Sequence, residues 1–578
     1  MLRQIILRDA STSEWLTFSE PVDVLSANSP KEILAVLSEI ERRVNEDELY
    51  ATGFICYEAA PGFDAAFATH SGCQLPLLCF GLFRNPKRTK SLRAITGCSD
   101  SPLTWTMSQS PDTYRRHITA IKQQIELGNT YQINYTVRQE AGGITDPWSQ
   151  FIAIAIDAPF AAYLECENHV TISASPELFF RLNGEHLFCK PMKGTAGRGL
   201  TSSEDITRRD DLYQSVKNRA ENVMITDMLR SDIGRIAFAG SVNVPTLLEV
   251  EKYQTVWQMT STISACTDVS VTEIFRALFP CASVTGAPKV SSMKIIAELE
   301  TSARGIYTGA IGYMRPGRRA QFSVAIRTAL IDKRSGGAVY GVGGGIVWDS
   351  DCDDEYQECL IKARVLDGGR YRGNFELLET ILWTPTDGYL LLELHLRRMH
   401  ASAGYFDFNF DRNSVEAALL SRVEDLVDEP HRIRLLLQQN GQFRISDSIV
   451  TPGRAGTETR VTLSTEPVDK NSPFLYHKTT RRDVYDEAVR AVPNGNDVLL
   501  WNSDRFITET SIANVIVEFG GEWYTPPVEC GLLPGTYREW LLGKGEIKER
   551  KIHLDELSTQ QELILINSVR GRYRARLA

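Results

Sequence analysis

The sequence has no stretch approaching the ~18 consecutive apolar residues of a membrane-crossing helix. Its first residues, Met1 to Trp15, lack the apolar core that a secretory signal needs. Cysteine is sparse and unpatterned. The 11 residues form no Cys-x-x-Cys pair, and Cys352 and Cys359 have no histidine companions, so neither a zinc site nor a disulfide framework is expected. An excess of basic charge is also missing. Sixty-three Lys and Arg face 73 Asp and Glu, a net charge of −10, which argues against nonspecific nucleic-acid binding but leaves room for local cations around a small anionic substrate. Internal repeats and low-complexity segments are absent. What remains is 578 residues of ordinary globular composition, 43% hydrophobic and 24% charged, too long for one domain. The expectation is a reduced, cytoplasmic protein with no membrane or nucleic-acid partner.

Apolar spacing sketches the elements. Tyr114, Ile118, Ile121 and Ile125 predict a helix over 113–127, stopped by Gly128-Asn129 and followed by an extended run over 131–137. Further helices are expected over 212–229 and 288–300, the latter with Pro288 in its first turn. Strand-like runs at 305–314, 321–331 and 338–347 read as an antiparallel meander, closed by a helix over 354–366. The glycine-rich stretch 367–374 reads as a linker. Beyond it come a strand over 375–382, a helix through 395–405, and hairpin turns at Asn440-Gly441 and Gly520-Gly521.

Several residues sit where their chemistry is awkward. Glu221 shares the helical stripe of Met224, Ile225 and Met228, and an ionised carboxylate on a buried face needs a partner or a metal. Glu355, Glu358 and Lys362 project from one side of a helix, a spacing that by itself a solvated ion-paired face explains better than a binding site does. Gly343-Gly344-Gly345 follows a strand and lets backbone amides approach an anion, or simply turns. Arg327 lies on an alternating strand, ordinarily an outward-facing position.

Taken in order, these residues and their neighbours form seven blocks. They are Ser175-Pro176-Glu177, Pro191 to Thr195, Glu221 to Ile225, Thr285 to Lys289, Phe322 to Thr328, Gly343 to Val347, and Asp354 to Ala363. The series resembles the chorismate-utilising enzymes, whose members include anthranilate, aminodeoxychorismate, isochorismate and salicylate synthases. The resemblance implies a two-lobed antiparallel β-sandwich with outer helices over residues 1–366. Lysine at 193, in Pro-Met-Lys-Gly-Thr, is the aminodeoxychorismate-synthase choice and would attack C2 of chorismate; anthranilate synthases carry a small residue there. Glu177 would be the general acid. Glu221 and Glu358, with Glu355 close by, would hold Mg²⁺. Arg327, Lys362, Thr195 and the amides of Gly343, Gly344 and Gly345 would bind the substrate. Two positions depart from the family: Ser231, where asparagine is usual, and Gln258, where relatives often have histidine. No Gly-x-Cys-x-Gly glutaminase block is present, so a glutamine amidotransferase subunit is the expected ammonia source.

A second series follows: Thr380 in Phe375 to Thr380, His395-Leu396-Arg397-Arg398, Lys478 before two threonines, Glu509 in Thr508 to Asn514, Gly531 to Arg538, and Ile566-Asn567-Ser568. It resembles the fold-type IV pyridoxal phosphate enzymes, an α+β fold, over 375–578. By that resemblance Lys478 would carry the cofactor and Glu509 would meet its ring nitrogen. Arg398, Thr536 and Ser568 would bind its phosphate, and Thr380 would assist elimination. Fusion of the two halves implies a lyase that releases pyruvate and 4-aminobenzoate from aminodeoxychorismate, for folate biosynthesis. An amino acid transaminase or a non-catalytic assembly domain are the alternatives for the second half, and an anthranilate synthase for the first. Dimerisation through the C-terminal half is implied by the same family.

Overall fold

The computed structural model describes residues 2–92, 104–367, 375–450, 459–492, 497–558 and 561–577. The chain divides into two compact units, one of residues 1–197 with 209–372, the other of 198–208 with 373–578. Of the linker expected at 367–374, all but Asp367 lies outside the described residues.

The first unit is built on two ten-stranded antiparallel sheets. One runs from the short strand Gly286–Ala287 through Gln132–Ala141, Ala338–Ile346, Thr328–Asp332, His169–Ser175, Phe160–Cys166 and Leu2–Asp9 to an edge at Lys87–Thr89. The other runs from Met192–Gly197 through Val256–Cys266, His186–Lys190, Leu178–Asn183, Arg319–Val324 and Ala310–Arg315 to Asp23–Ala27. Between the sheets Ile5, Leu7, Leu164, Phe54, Phe83 and Ile311 pack as one core. Helices cover the outer faces: Pro111–Glu126, Pro147–Ala155 and Cys352–Ala363 on the first sheet, and Ile33–Glu46, Val216–Gly234 and Val271–Leu278 on the second.

The helix expected over 113–127 starts at Pro111, because the Ser110 hydroxyl accepts from the Thr113 amide (3.3 Å) and a proline in the first turn needs no hydrogen bond. The helix expected over 212–229 is two helices, Ser202–Gln214 and Val216–Gly234. Ser215 adopts extended backbone between them and caps the second through the Asn218 amide. Pro288 is the extended cap residue of Lys289–Leu299 rather than part of its first turn. The strand expected over 321–331 is also broken, with consequences below: Arg319–Val324 lies in one sheet and Thr328–Asp332 in the other.

In the second unit, a four-stranded antiparallel sheet (Gly388–Tyr389, Leu377–Thr384, His431–Leu437, Phe443–Ile449) packs on the helices Leu392–Phe406 and Arg412–Val423. An eight-stranded mixed sheet follows, in which Glu509 opposite Asn514 closes the strands Asp497–Trp501, Ile507–Thr510 and Asn514–Phe519 toward a ring. Both expected hairpin turns are present.

Phe275 is the centre of the aromatic cluster behind the second sheet, with ring centroids 4.8 Å from Phe322 and 5.0 Å from Phe180. Phe275→Ala is expected to cost about 3–5 kcal/mol of stability. A urea midpoint equal to that of the parent chain would contradict this placement.

Candidate active sites

The first site is made by chain crossings. His169–Ser175 and Leu178–Asn183 belong to different sheets, and Pro176-Glu177 is the step between them. Ala325 to Arg327 makes the matching step next door. The two are tied by bonds from the Val324 amide to the Glu177 carbonyl (3.1 Å) and from the Ala174 amide to the Arg327 carbonyl (2.9 Å). Arg327 has φ +51°, a left-handed conformation unusual for a side chain of its size. The break turns Arg327 off the surface-strand position that its alternation suggested, and it lines a cavity together with Glu177, Lys193, Glu221, Glu355, Glu358 and Lys362.

Glu177 is buried, and its Oε1 accepts from Ser283 Oγ at 2.7 Å. Burial pushes its carboxyl up to about 7, against the pull of Ser283 and Lys193, so near neutrality it holds a proton much of the time. Lys193 comes from the edge strand Met192–Gly197, where an extra residue against Val256–Cys266 makes a bulge. Burial lowers its ammonium below the ordinary lysine range, against the attraction of Glu221. Glu221 accepts from Gln132 Nε2 (3.0 Å), and burial raises its carboxyl. Glu355 accepts from Lys217 Nζ (3.0 Å) and Ser350 Oγ (2.6 Å). Lys362 pairs with Glu358 (2.8 Å) and donates to the Gly343 carbonyl (2.8 Å). Against the cost of burial, that pairing holds Lys362 above its ordinary range and Glu358 below its own. Among the described residues no three His, Cys, Asp or Glu side chains converge into a metal-holding group.

The glycine run is not a turn after a strand. It lies inside Ala338–Ile346, opposite Asn134, Tyr135 and Thr136. A Cβ on Gly345 would fall 2.3 Å from Gln132 Nε2 and 2.7 Å from Lys193 Nζ, so glycine there is the condition for the lysine to reach the cavity. Thr195 gives its hydroxyl to Gln258 (3.0 Å). Gln132, Lys217, Asn222 and Ser283 went unassigned in the sequence; Asn222 at least stood inside the Glu221 block.

In the second unit the Lys478 carbonyl accepts from the Leu378 amide (3.0 Å), which docks the lysine beside the strand that carries Glu379 and Thr380. Burial and the neighbouring Arg398 push its amine down to about 8. Arg398 is gripped by Glu379 through two bonds (2.8 and 2.7 Å). Glu379 also meets His395 Nδ1 (2.6 Å), and the far nitrogen of His395 lies 3.2 Å from the Thr536 hydroxyl. Glu379 is held down at about 2 despite burial, by Arg398 and then His395. Thr536 opens the helix Thr536–Gly543, and Arg398 donates to the Pro534 carbonyl just before it (3.1 Å), so a guanidinium and a helix N-terminus adjoin. Glu509, pushed up to about 7 by burial, accepts from Tyr485 (2.8 Å), the Leu533 amide (2.9 Å) and Asn514 (3.1 Å). Ser568 donates to the Thr380 carbonyl (3.3 Å), so its hydroxyl is engaged with the backbone of that strand. The Glu379–His395 link was not read from sequence, although both residues stood in quoted blocks.

Residues 3–367 match the family model for chorismate binding enzymes, and residues 376–577 match the model for amino-transferase class IV. The chain belongs to the chorismate binding enzymes, in which its first unit supplies the antiparallel sandwich and its charged cavity. Aminodeoxychorismate synthase of Streptomyces griseus is 39% identical over 279 residues, 46% of this chain and 38% of that protein. Aminodeoxychorismate synthase component 1 of Escherichia coli K12 is 38% identical over 262 residues, 45% of this chain and 57% of that protein. The matched stretch thus spans well under two thirds of either relative. Anthranilate synthase component I from Streptococcus pneumoniae TIGR4 shares the fold, with a TM-score of 0.54 at 23% identity over 61% of this chain and 92% of that one.

Two outcomes are expected. A protonated-carboxyl infrared band assigned to Glu177 should be present at pH 6, fade through about pH 7 as the proton leaves, and be absent in Glu177→Gln. Its absence at low pH in the parent would remove the buried acid. Gly345→Ala should displace Lys193 or Gln132 and suppress turnover at the first site, while leaving cofactor binding in the second unit unchanged; normal turnover would count against the packing described.

Proposed function

We propose that residues 1–366 convert chorismate and ammonia into 4-amino-4-deoxychorismate. Residues 375–578 then eliminate pyruvate from it to give 4-aminobenzoate for folate biosynthesis. Residues 367–374 would join the two catalytic domains. The observation that carries the first activity is the placement of Lys193, an amine taken out of water on a bulge and aimed into the cavity that also holds Glu177, whose carboxyl burial raises to about 7.

A lysine is nucleophilic only when neutral, and burial supplies the neutral fraction. Lys193 Nζ would bond to C2 of chorismate as the ring double bonds shift and the C4–O bond breaks. Glu177 would give its proton to the departing hydroxyl, which leaves as water. Ammonia would then bond to C4, the double bonds would shift back, and the C2–N bond would break to return Lys193. Arg327 and Lys362 would hold the substrate's two carboxylates. Thr195 and the Gly343–Gly345 strand would shape the floor.

The donor set fits Mg²⁺. Its members are hard carboxylate oxygens that line the same cavity, and Mg²⁺ uses one or two protein carboxylates completed by water and substrate, so a ready three-ligand cluster is not required. Glu221 and Glu358 would hold the ion, with Glu355 reached through water, and the ion would supply charge for gripping the ring carboxylate.

The second site fits pyridoxal 5′-phosphate: an amine lowered to about 8, an arginine beside a helix N-terminus, and a buried carboxyl held by three donors. When bound, the cofactor supplies an electron sink for the elimination. Lys478 would take the C4 proton, with Thr380 beside it. Glu509 would bind the ring nitrogen, and Arg398, Thr536 and Ser568 would serve the phosphate. A transaminase is the second reading for this unit, favoured by the family match over 376–577. A glutamine amidotransferase would be the ammonia-supplying partner, and the second unit would dimerise.

The test is to incubate the protein with chorismate, ammonium, Mg²⁺ and pyridoxal phosphate and to separate the products. 4-Aminobenzoate with matching pyruvate is expected. Aminodeoxychorismate without 4-aminobenzoate would overturn the lyase and leave amino and keto acid pairs to be tried. Lys193→Ala should abolish the first step and spare the second on supplied intermediate. Lys478→Ala should abolish the near-visible absorption of the bound cofactor, and an unchanged spectrum would remove Lys478 from its role.

A further inference from the structure

The bulge that aims Lys193 has to be held open. The register jumps from Met192 opposite Thr260 to Thr195 opposite Gln258, so Lys193 and Gly194 together face one residue, Met259. Gly194 takes φ +96° to make the bend. Such a bulge gives up ladder hydrogen bonds, and two buried amides replace them. Asn222 Nδ2 donates to the Lys193 carbonyl (3.2 Å) and to the Met259 carbonyl (3.2 Å), while its Oδ1 accepts from Ser261 Oγ (2.5 Å). Gln258 works from the opposite strand: its Nε2 donates to the Gly194 carbonyl (2.7 Å) and its Oε1 accepts from the Thr195 hydroxyl (3.0 Å).

We propose that Gln258 is the positioning residue that locks the Lys193 bulge, and that an amide at this position makes the lock independent of pH. The proposal rests on Lys193 as nucleophile. A carboxamide donates and accepts at once at every pH, whereas an imidazole does so only when neutral; as imidazolium it can donate but cannot accept from Thr195. The surroundings make that difference matter. Glu251 lies directly opposite Gln258 on the neighbouring strand, where it pairs with Lys190 and accepts from the Tyr253 hydroxyl (3.2 Å). Lys193 itself borders the cavity side. Burial and the nearby Lys193 cation would hold an imidazole there toward its neutral form, against the Glu251 carboxylate that Lys190 already pairs, so the lock would weaken only once acid protonates the ring.

Gln258→Met keeps the length of the side chain and removes both bonds. It should lower kcat for aminodeoxychorismate formation about tenfold or more, the loss of roughly one good hydrogen bond in the transition state, while KM for chorismate stays within about twofold. Gln258→His should recover the rate above its own pKa, about 6.5 or somewhat lower, and lose it below, so that the ratio of its kcat to the parent's falls as the pH is lowered toward about 5. Activity in the second unit on supplied intermediate serves as the folding control. A Met variant as active as the parent, or a His variant whose ratio to the parent is flat with pH, would overturn the proposal. If the Met variant does not fold, the His profile decides alone. Lys193→Ala run in parallel separates the two ideas: full activity there would sink the nucleophile, whereas an inactive Lys193→Ala beside an unaffected Gln258→Met would sink only the lock.

Discussion

Removal of charge from water is the constraint on which both units depend. A buried carboxylate and a buried ammonium each lose hydration, and each responds by moving toward its neutral form, the acid upward and the base downward. In the first unit Glu177 rises to about 7 and Lys193 falls, so a carboxyl and an amine both shifted toward neutrality share one cavity. In the second, Glu509 rises to about 7 and Lys478 falls to about 8. The same desolvation moves a carboxyl and an amine toward their neutral forms in two unrelated folds. Where burial is answered by a well-placed partner the charge persists instead, as for Glu379 between Arg398 and His395 and for Lys362 on Glu358.

The backbone accommodates these groups by breaking its own regularity. Glu177 and Arg327 occupy paired steps where the chain leaves one sheet for the other, Lys193 occupies a bulge, and Gly345 clears the space that its amine needs. Behind them lies a fully buried ion pair, Glu300 with Arg304 (2.6 Å). Its guanidinium also donates to the Val284 and Asn134 carbonyls, and the carboxylate accepts from Thr136. Such a pair adds little net stability over apolar packing, but breaking one side leaves an uncompensated charge, so it fixes the walls of the cavity in one arrangement.

Much of this was legible in advance. Helical spacing located Pro111–Glu126 and Lys289–Leu299, with boundaries shifted by one or two residues where Ser110 and Pro288 cap them, but gave no sign of Pro147–Ala155. The hairpin turns at Asn440 and Gly520 were read correctly, since positive-φ turns are local chemistry. The reading failed where a continuous pattern concealed a change of partner. Residues 321–331 alternate as one strand, yet Ala325 to Arg327 hand the chain between sheets. Residues 212–229 kept helical character across Ser215, although the hydroxyl there ends one helix and starts another.

The sequence by itself determined the family and brought forward, in order, most of the charged residues that line the two candidate sites, because ordered blocks of chemically costly residues survive as strings; Lys217 and Glu379 it left unassigned. It also located several helices and both hairpin turns, which follow from neighbours within a few positions, but missed others such as Ile33–Glu46 and Val271–Leu278. Only the tertiary structure decided that Arg327 leaves the surface, that the glycine run is a strand clearing space for Lys193, and that Glu379 and His395 stand behind Arg398. Gln258 belongs with these, since it faces Thr195 across 63 residues of chain. Each of these facts is a contact between segments distant in sequence. Desolvation is a property of the assembled surroundings, so no reading of local spacing could assign which lysine is pushed toward its neutral form and which stays an ion.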